Sequence, residues 1–338
     1  MKTDRFMGVL KISVLLMLTG QYCPILRAFE PVKIQSLPDV RQVILLNVIP
    51  ATNRDGELVS VLIPLKQSGH LFLIEAQIDG QVGNFVFDTG ADKLVLNKTY
   101  FRNNLRAVDE PGGGLTGGTR TIYKTSVDRV QVSELIFEDL QADVTELGQI
   151  ENRRKVKILG LFGISLFADL ELEIDLANGS LLLRNLDKKG VPVDPEFQPR
   201  ECDYTGKLDT HKQILFVNGR IGGKTMDFCL DTGAETNVIS STAPKKALET
   251  VNISRRSEMT GVGGADIEVL YGTMTDFSLG ELKFSPMQTI VANLTALSQA
   301  YDYPVGGILG FDFFDQGVIC VNLVTKEIRV TLNERKEQ

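Results

Sequence analysis

The sequence predicts an all-β fold made of two lobes related by a pseudo-twofold axis, with a cleft between them. Three observations carry this. The tripeptide Asp-Thr-Gly occurs twice, at 88–90 and 231–233. Each copy follows an apolar run and precedes Ala, an acid and a second apolar run. The segments flanking the two copies match one another in the same order, and none reads as a long amphipathic helix, so strands must supply the architecture.

Composition narrows what such a chain does. Its 338 residues suffice for two ordinary domains. With 43% hydrophobic and 23% charged residues it is globular rather than disordered. The formal net charge of -7 provides no basic face for nucleic acid. Only two histidines occur, His70 and His211, which argues against a zinc hydrolase or a His-based triad. No metal and no cofactor is expected, and both histidines read as solvated loop residues.

The chain opens with Lys2 and Arg5 ahead of the apolar run ISVLLML (12–18). That run is shorter than the roughly 20 residues a membrane span needs, so residues 1–28 read as an export signal ending near Ala28. Its removal takes away four Lys/Arg and one Asp, moving the charge from -7 to -10. Cys23 raises a lipidated alternative, but Gln21 and Tyr22 are not the small residues such a site takes. Three cysteines then remain, Cys202, Cys229 and Cys320, an odd number that provides no disulfide framework. Cys229 and Cys320 sit in apolar runs and read as core thiols.

Residues 29–60 form an N-terminal extension containing QVILLNVI, a strand of open placement. The repeat follows. LFLIEAQIDG (71–80) aligns without gaps to ILFVNGRIGG (214–223), and the shift of 143 also relates Asp88 to Asp231. Asp79-Gly80 and Gly222-Gly223 are turn pairs that tolerate positive φ, so each unit reads as a β-hairpin. VSELIF (132–137) matches LGELKF (279–284), and ILGLFGISLF (158–167) is aligned with ILGFDFFDQG (308–317). A final strand pair closes each half. Four matches in one order indicate an internal duplication.

Two Gly-rich stretches, PGGGLTGGT (111–119) and GVGG (261–264), precede strand-like segments rather than a helix N-terminus. They read as hairpin tips able to cover a cleft, not as phosphate cradles. Residues 187–211, rich in Pro and charge, read as the interdomain linker. Pro244 opens the one short helix expected. The lobes are thus 61–186 and 212–338.

On FVFDTGAD, FCLDTGAE and the paired ILG motifs, the chain resembles the pepsin-like and retropepsin-like aspartic peptidases in a single-chain, duplicated form, over roughly residues 60–332. The resemblance implies two acid-protease β-barrel lobes. It also implies an aspartic endopeptidase in which Asp88 and Asp231 are the catalytic pair. Two carboxylates about 3 Å apart do not both ionise comfortably; sharing one proton, they supply a base and an acid at the same pH. Water held between them attacks the peptide carbonyl with no covalent intermediate.

Thr89 and Thr232 correspond to the family's threonines that bond across the pseudo-twofold axis. Gly90 and Gly233 allow close backbone approach and leave amide donors near the carboxylates. Ile158, Leu159, Gly160, Ile308, Leu309 and Gly310 correspond to residues packing behind the loops. Ala91 and Ala234 stand where pepsin-like members carry a hydroxyl that bonds the Asp. Fewer bonds to the anion favour protonation, so the expected pH optimum is mildly acidic.

An Asp in such a place also caps turns through its own backbone, but two copies in a duplicated frame favour chemistry. Asp92 and Glu235, just after the motifs, read as surface or ion-pair residues, or as acids bordering the cleft. The alternative function is a catalytically weak peptide- or ligand-binding protein of the same fold. Expected partners are a peptide or protein substrate, with no membrane span in the mature chain. The protein is expected to be a monomer, in the periplasm or outside the cell.

Overall fold

The duplication holds strand by strand. The computed structural model describes residues 51–52, 58–111, 119–260 and 266–334; the segment read as an export signal (1–28) and QVILLNVI lie outside them. Strands Leu71–Ile78 and Ile214–Ile221 bury the same six of their eight positions, so one alternation of apolar and polar residues sets both halves on their cores. Each turns back into the strand that carries the motif, Gln81–Asp88 or Lys224–Leu230. The turns have positive φ at Asp79 (45°) and Gly80 (86°), and at Gly222 (56°) and Gly223 (70°). Two consecutive residues of that kind match the right-handed strand twist.

Each lobe then closes on itself. Ile158–Gly163 runs parallel to Gln81–Asp88 and antiparallel to Val95–Asn97. Gly307–Leu309 sits likewise between Lys224–Leu230 and Asn237–Ser240. The chain thus leaves the motif strand, turns, and returns on the far side of a central strand. Barrel closure is Gln77↔Gln131 in one lobe and Arg220↔Ser278 in the other. The strands flanking each Gly-rich stretch pair with each other, Arg106–Pro111 with Thr119–Val132 and Val251–Thr260 with Asp266–Met274.

The register corrects the motif alignment. Phe85 faces Gly160 and Asp88 faces Gly163, whereas Phe228 faces Gly307 and Leu230 faces Leu309. The counterpart of Ile308-Leu309-Gly310 is therefore Leu161-Phe162-Gly163, three residues beyond Ile158-Leu159-Gly160. The first half carries two apolar-apolar-Gly triplets in tandem, and matching by identity selected the wrong one. Ile158 and Leu159 remain in the core, both fully buried.

A seven-stranded sheet joins the halves. Its central pair is Leu170–Asp175 against Gly317–Asn322, with Glu171↔Asn322, Glu173↔Cys320 and Asp175↔Val318. This register is self-complementary under the internal repeat, which places the pseudo-twofold axis at Glu173 and Cys320. Toward one edge lies Leu58–Pro64, bordered by the two-residue edge strand Ala51–Thr52, and the other edge is Tyr204–Lys207. Residues 204–211, read above as linker, thus contain two strands, because Asp209–His211 also pairs with Ile214–Ile221. Their counterparts across the pseudo-twofold axis are Leu58–Pro64 and Lys66–Ser68. Leu58 to Ser60, read as extension, likewise belong to a strand.

Glu171 lies buried on this sheet between Arg184 (3.0 Å) and Arg329, one arginine from each half. Arg184 also reaches Glu173 (2.6 Å). Cys320 faces the same acids; burial, then Glu173, pushes its thiol up to about 12.

Four short α-helices and one 3-10 helix (Ile164–Phe167) complete the described residues, the α-helices being α1 (Gly148–Arg154), α2 (Lys245–Leu248), α3 (Thr295–Tyr301) and α4 (Phe311–Phe314). Only α2, opened at Pro244, was expected. His70 is an exposed turn residue, as expected, although its ring stacks on Phe311 with centroids 4.0 Å apart. His211 is not a loop residue: it is half-buried in the strand Asp209–His211 and stacks on Tyr303 at 3.5 Å.

Candidate active site

The two Asp-Thr-Gly turns meet at the lobe boundary. Asp88 and Asp231 are buried. Oδ1 of Asp88 accepts the Gly90 amide (3.1 Å), and Oδ1 of Asp231 accepts that of Gly233 (2.9 Å). Each loop therefore aims one backbone donor at its own carboxylate. A Cβ built on Gly233 would lie 2.7 Å from the carboxyl carbon of Asp88, so only glycine lets the second loop approach the first carboxylate this closely.

The threonines bind the loops reciprocally. The Thr89 hydroxyl donates to Leu230 O (2.9 Å) and accepts the Thr232 amide (3.0 Å). The Thr232 hydroxyl donates to Phe87 O (2.8 Å) and accepts the Thr89 amide (3.0 Å). All of these groups are buried, so each would be left unsatisfied without its partner. Thr89→Val removes one donor and one acceptor while keeping the shape. Leu230 O and the Thr232 amide then lose their partners, at about 1–3 kcal/mol each. Urea denaturation should show a loss of about 2–6 kcal/mol; a loss below about 1 would mean the network does not hold the lobes.

Behind the loops, Ala91 and Ala234 are fully buried and bring no hydroxyl to the carboxylates. A Cβ on Gly310 would meet Ala234 O at 2.5 Å, and one on Gly163 would meet Lys93 O at 2.4 Å. These two glycines let the central strands pass directly under the turns. Cys229, two residues before Asp231, is a buried core thiol; burial, then Asp231 and Asp88, pushes it well above its usual range.

The acids after the motifs separate. Asp92 is half-buried and accepts the Ser165 hydroxyl (2.5 Å) within its own lobe. Glu235 is buried and forms an ion pair with Arg154, which comes from α1 in the other lobe. His70 Nδ1–H donates to Glu235 O (2.8 Å), also across the boundary. Tyr301, at the end of α3, is buried, and its hydroxyl lies 3.5 Å from Gly90 O of the opposite lobe. His70, Arg154, Phe311 and Tyr301 were not legible as site residues, because each sits far from the motifs in sequence. Tyr123 and Tyr271, which follow the Gly-rich stretches, lie under the cations of Lys98 (4.2 Å) and Arg255 (4.1 Å).

Two barrels, a shared sheet and two facing Asp-Thr-Gly loops define the two-lobed aspartic-peptidase fold. The aspartyl protease family profile matches the chain twice, over residues 74–166 and 217–313, once per lobe. The chain belongs to the aspartyl protease family. One similar solved structure is the crystal structure of basic 7S globulin from soybean. It is 10% identical, with 82% of this chain and 96% of that chain covered and a TM-score of 0.48, and it adds nothing to the family assignment. No match to a curated protein is found.

Proposed function

We propose that the protein is an aspartic endopeptidase in which Asp88 and Asp231 form one acid–base pair. The observation that carries this reading is the reciprocal threonine network, which fixes both carboxylate-bearing turns against each other in one chain. The pair shares a proton. Its basic member takes a proton from water, which attacks the peptide carbonyl, and its acidic member supports the carbonyl oxygen. The proton then passes to the leaving nitrogen as the C–N bond breaks. The roles belong to the pair as a unit.

Because both loops lie in one chain, the site needs no second copy, and we take the protein to act as a monomer. Residues 1–28 support export to the periplasm or beyond. Among the described residues no helix is long and apolar enough to cross a membrane.

A pH–rate profile tests the reading. Loss of the hydroxyl at Ala91 and Ala234 removes a bond that favours the anion. Activity should therefore follow a bell with its maximum at mildly acidic pH. A maximum below about pH 3 would show that other donors hold the pair ionised.

A further inference from the structure

The helices α1 and α3 occupy equivalent places in the two lobes. A shift of 147 carries residues 148–154 onto 295–301. Each ends in a left-handed residue, Lys155 (φ 54°) and Asp302 (φ 53°). The last helical residue of each is therefore also equivalent: Arg154 in one lobe, Tyr301 in the other. Both side chains leave their own lobe and reach the opposite Asp-Thr-Gly loop.

We propose that Arg154 and Tyr301 are crossed positioning struts, each fixing the catalytic loop of the other lobe. The inference rests on the peptidase reading for its kinetic consequence but not for its geometry. Arg154 holds Glu235, four residues past Asp231 and anchored again by His70. The Tyr301 hydroxyl touches the carbonyl oxygen of Gly90 at 3.5 Å, and the Gly90 amide in turn holds Asp88.

Neither strut hangs free. The first helix is pinned by Ile150 in the core and by Glu151, whose Oε1 accepts both the Tyr100 hydroxyl (2.6 Å) and the Ile158 amide (2.8 Å). The second is pinned by Leu297 and by Ser298, whose hydroxyl accepts the Val305 amide (3.0 Å). Glycine at 69, with φ +64°, leaves the space the Arg154 guanidinium fills. The two struts differ chemically. One is an ion pair across the lobes, while the other is a neutral contact in an apolar pocket with Phe216 and Cys229.

The crossing gives the proposal a signature that general loosening lacks. Hydrogen exchange of the full chain would be followed in peptides covering 88–92 and 231–236, for wild type, Arg154→Met, Arg154→Lys and Tyr301→Phe. Arg154→Met should speed exchange about tenfold in 231–236 and by a clearly smaller factor in 88–92, which the threonine bonds couple to it. Tyr301→Phe should do the reverse. Arg154→Lys, which keeps the cation, should restore most of the protection. In turnover, both strut-removing variants should lower kcat with KM within about twofold of wild type.

Equal acceleration in both loops, or in neither, would overturn the proposal, as would a raised KM at unchanged kcat. If the wild type cleaves nothing, the peptidase reading fails, and the crossed exchange pattern still decides the struts.

Discussion

Asp88→Asn and Asp231→Asn are each expected to lower peptide cleavage by at least about a thousandfold, with the double variant falling no further. The reason is that the unit of chemistry is the pair. An amide cannot take a proton from water, and a lone remaining carboxylate has no partner to hold the second proton. Removing either member therefore ends the whole cycle, and the losses do not add. Folding should survive. Asn is close to isosteric with Asp, and its amide oxygen can still accept the Gly90 or Gly233 amide. The check is kcat/KM on one peptide, with circular dichroism confirming equal folding. A single variant that retains a tenth or more of the activity would mean that one carboxylate works alone.

Glu171→Ala should cost about 3–5 kcal/mol of stability. Glu171 is buried on the sheet shared by the lobes, and Arg184 and Arg329 converge on it from the two halves. Removing the acid leaves two half-buried guanidinium groups with less compensating charge, in a place where water cannot fully replace it. Arg184 retains Glu173 as a partner (2.6 Å), which sets the lower end of the range. Chemical denaturation would measure the loss. A change below about 1 kcal/mol would show that solvent screens the cluster as it screens a surface pair.

The motif strands and their turns were legible because turn chemistry and alternation are local. Asp79-Gly80 and Gly222-Gly223 announce hairpins, and the apolar runs before each Asp-Thr-Gly announce buried strands. Tyr204–Lys207 was not legible, because it is an edge strand with no fully buried residue and so lacks an apolar alternation. α1 and α3 span seven residues each, with one or two buried anchors, too few to establish a helical period.

The candidate site divides in the same way. Asp88, Asp231, their threonines and glycines lie in contiguous motifs. Arg154, Tyr301 and His70 reach the site only through the pairing of lobes, and nothing in their local sequence marks them. The tandem triplets Ile158-Leu159-Gly160 and Leu161-Phe162-Gly163 show a third case: the motif was visible, but its register was settled only by the strand opposite.

The most direct test of the central claim is turnover of a mixed peptide library by the purified protein from pH 3 to 8, with products mapped by mass spectrometry. The account predicts internal cuts at mildly acidic pH, absent in Asp88→Asn and in Asp231→Asn. A folded wild-type protein that cuts nothing across that range would contradict it, and would leave the two facing carboxylates as part of a binding cleft.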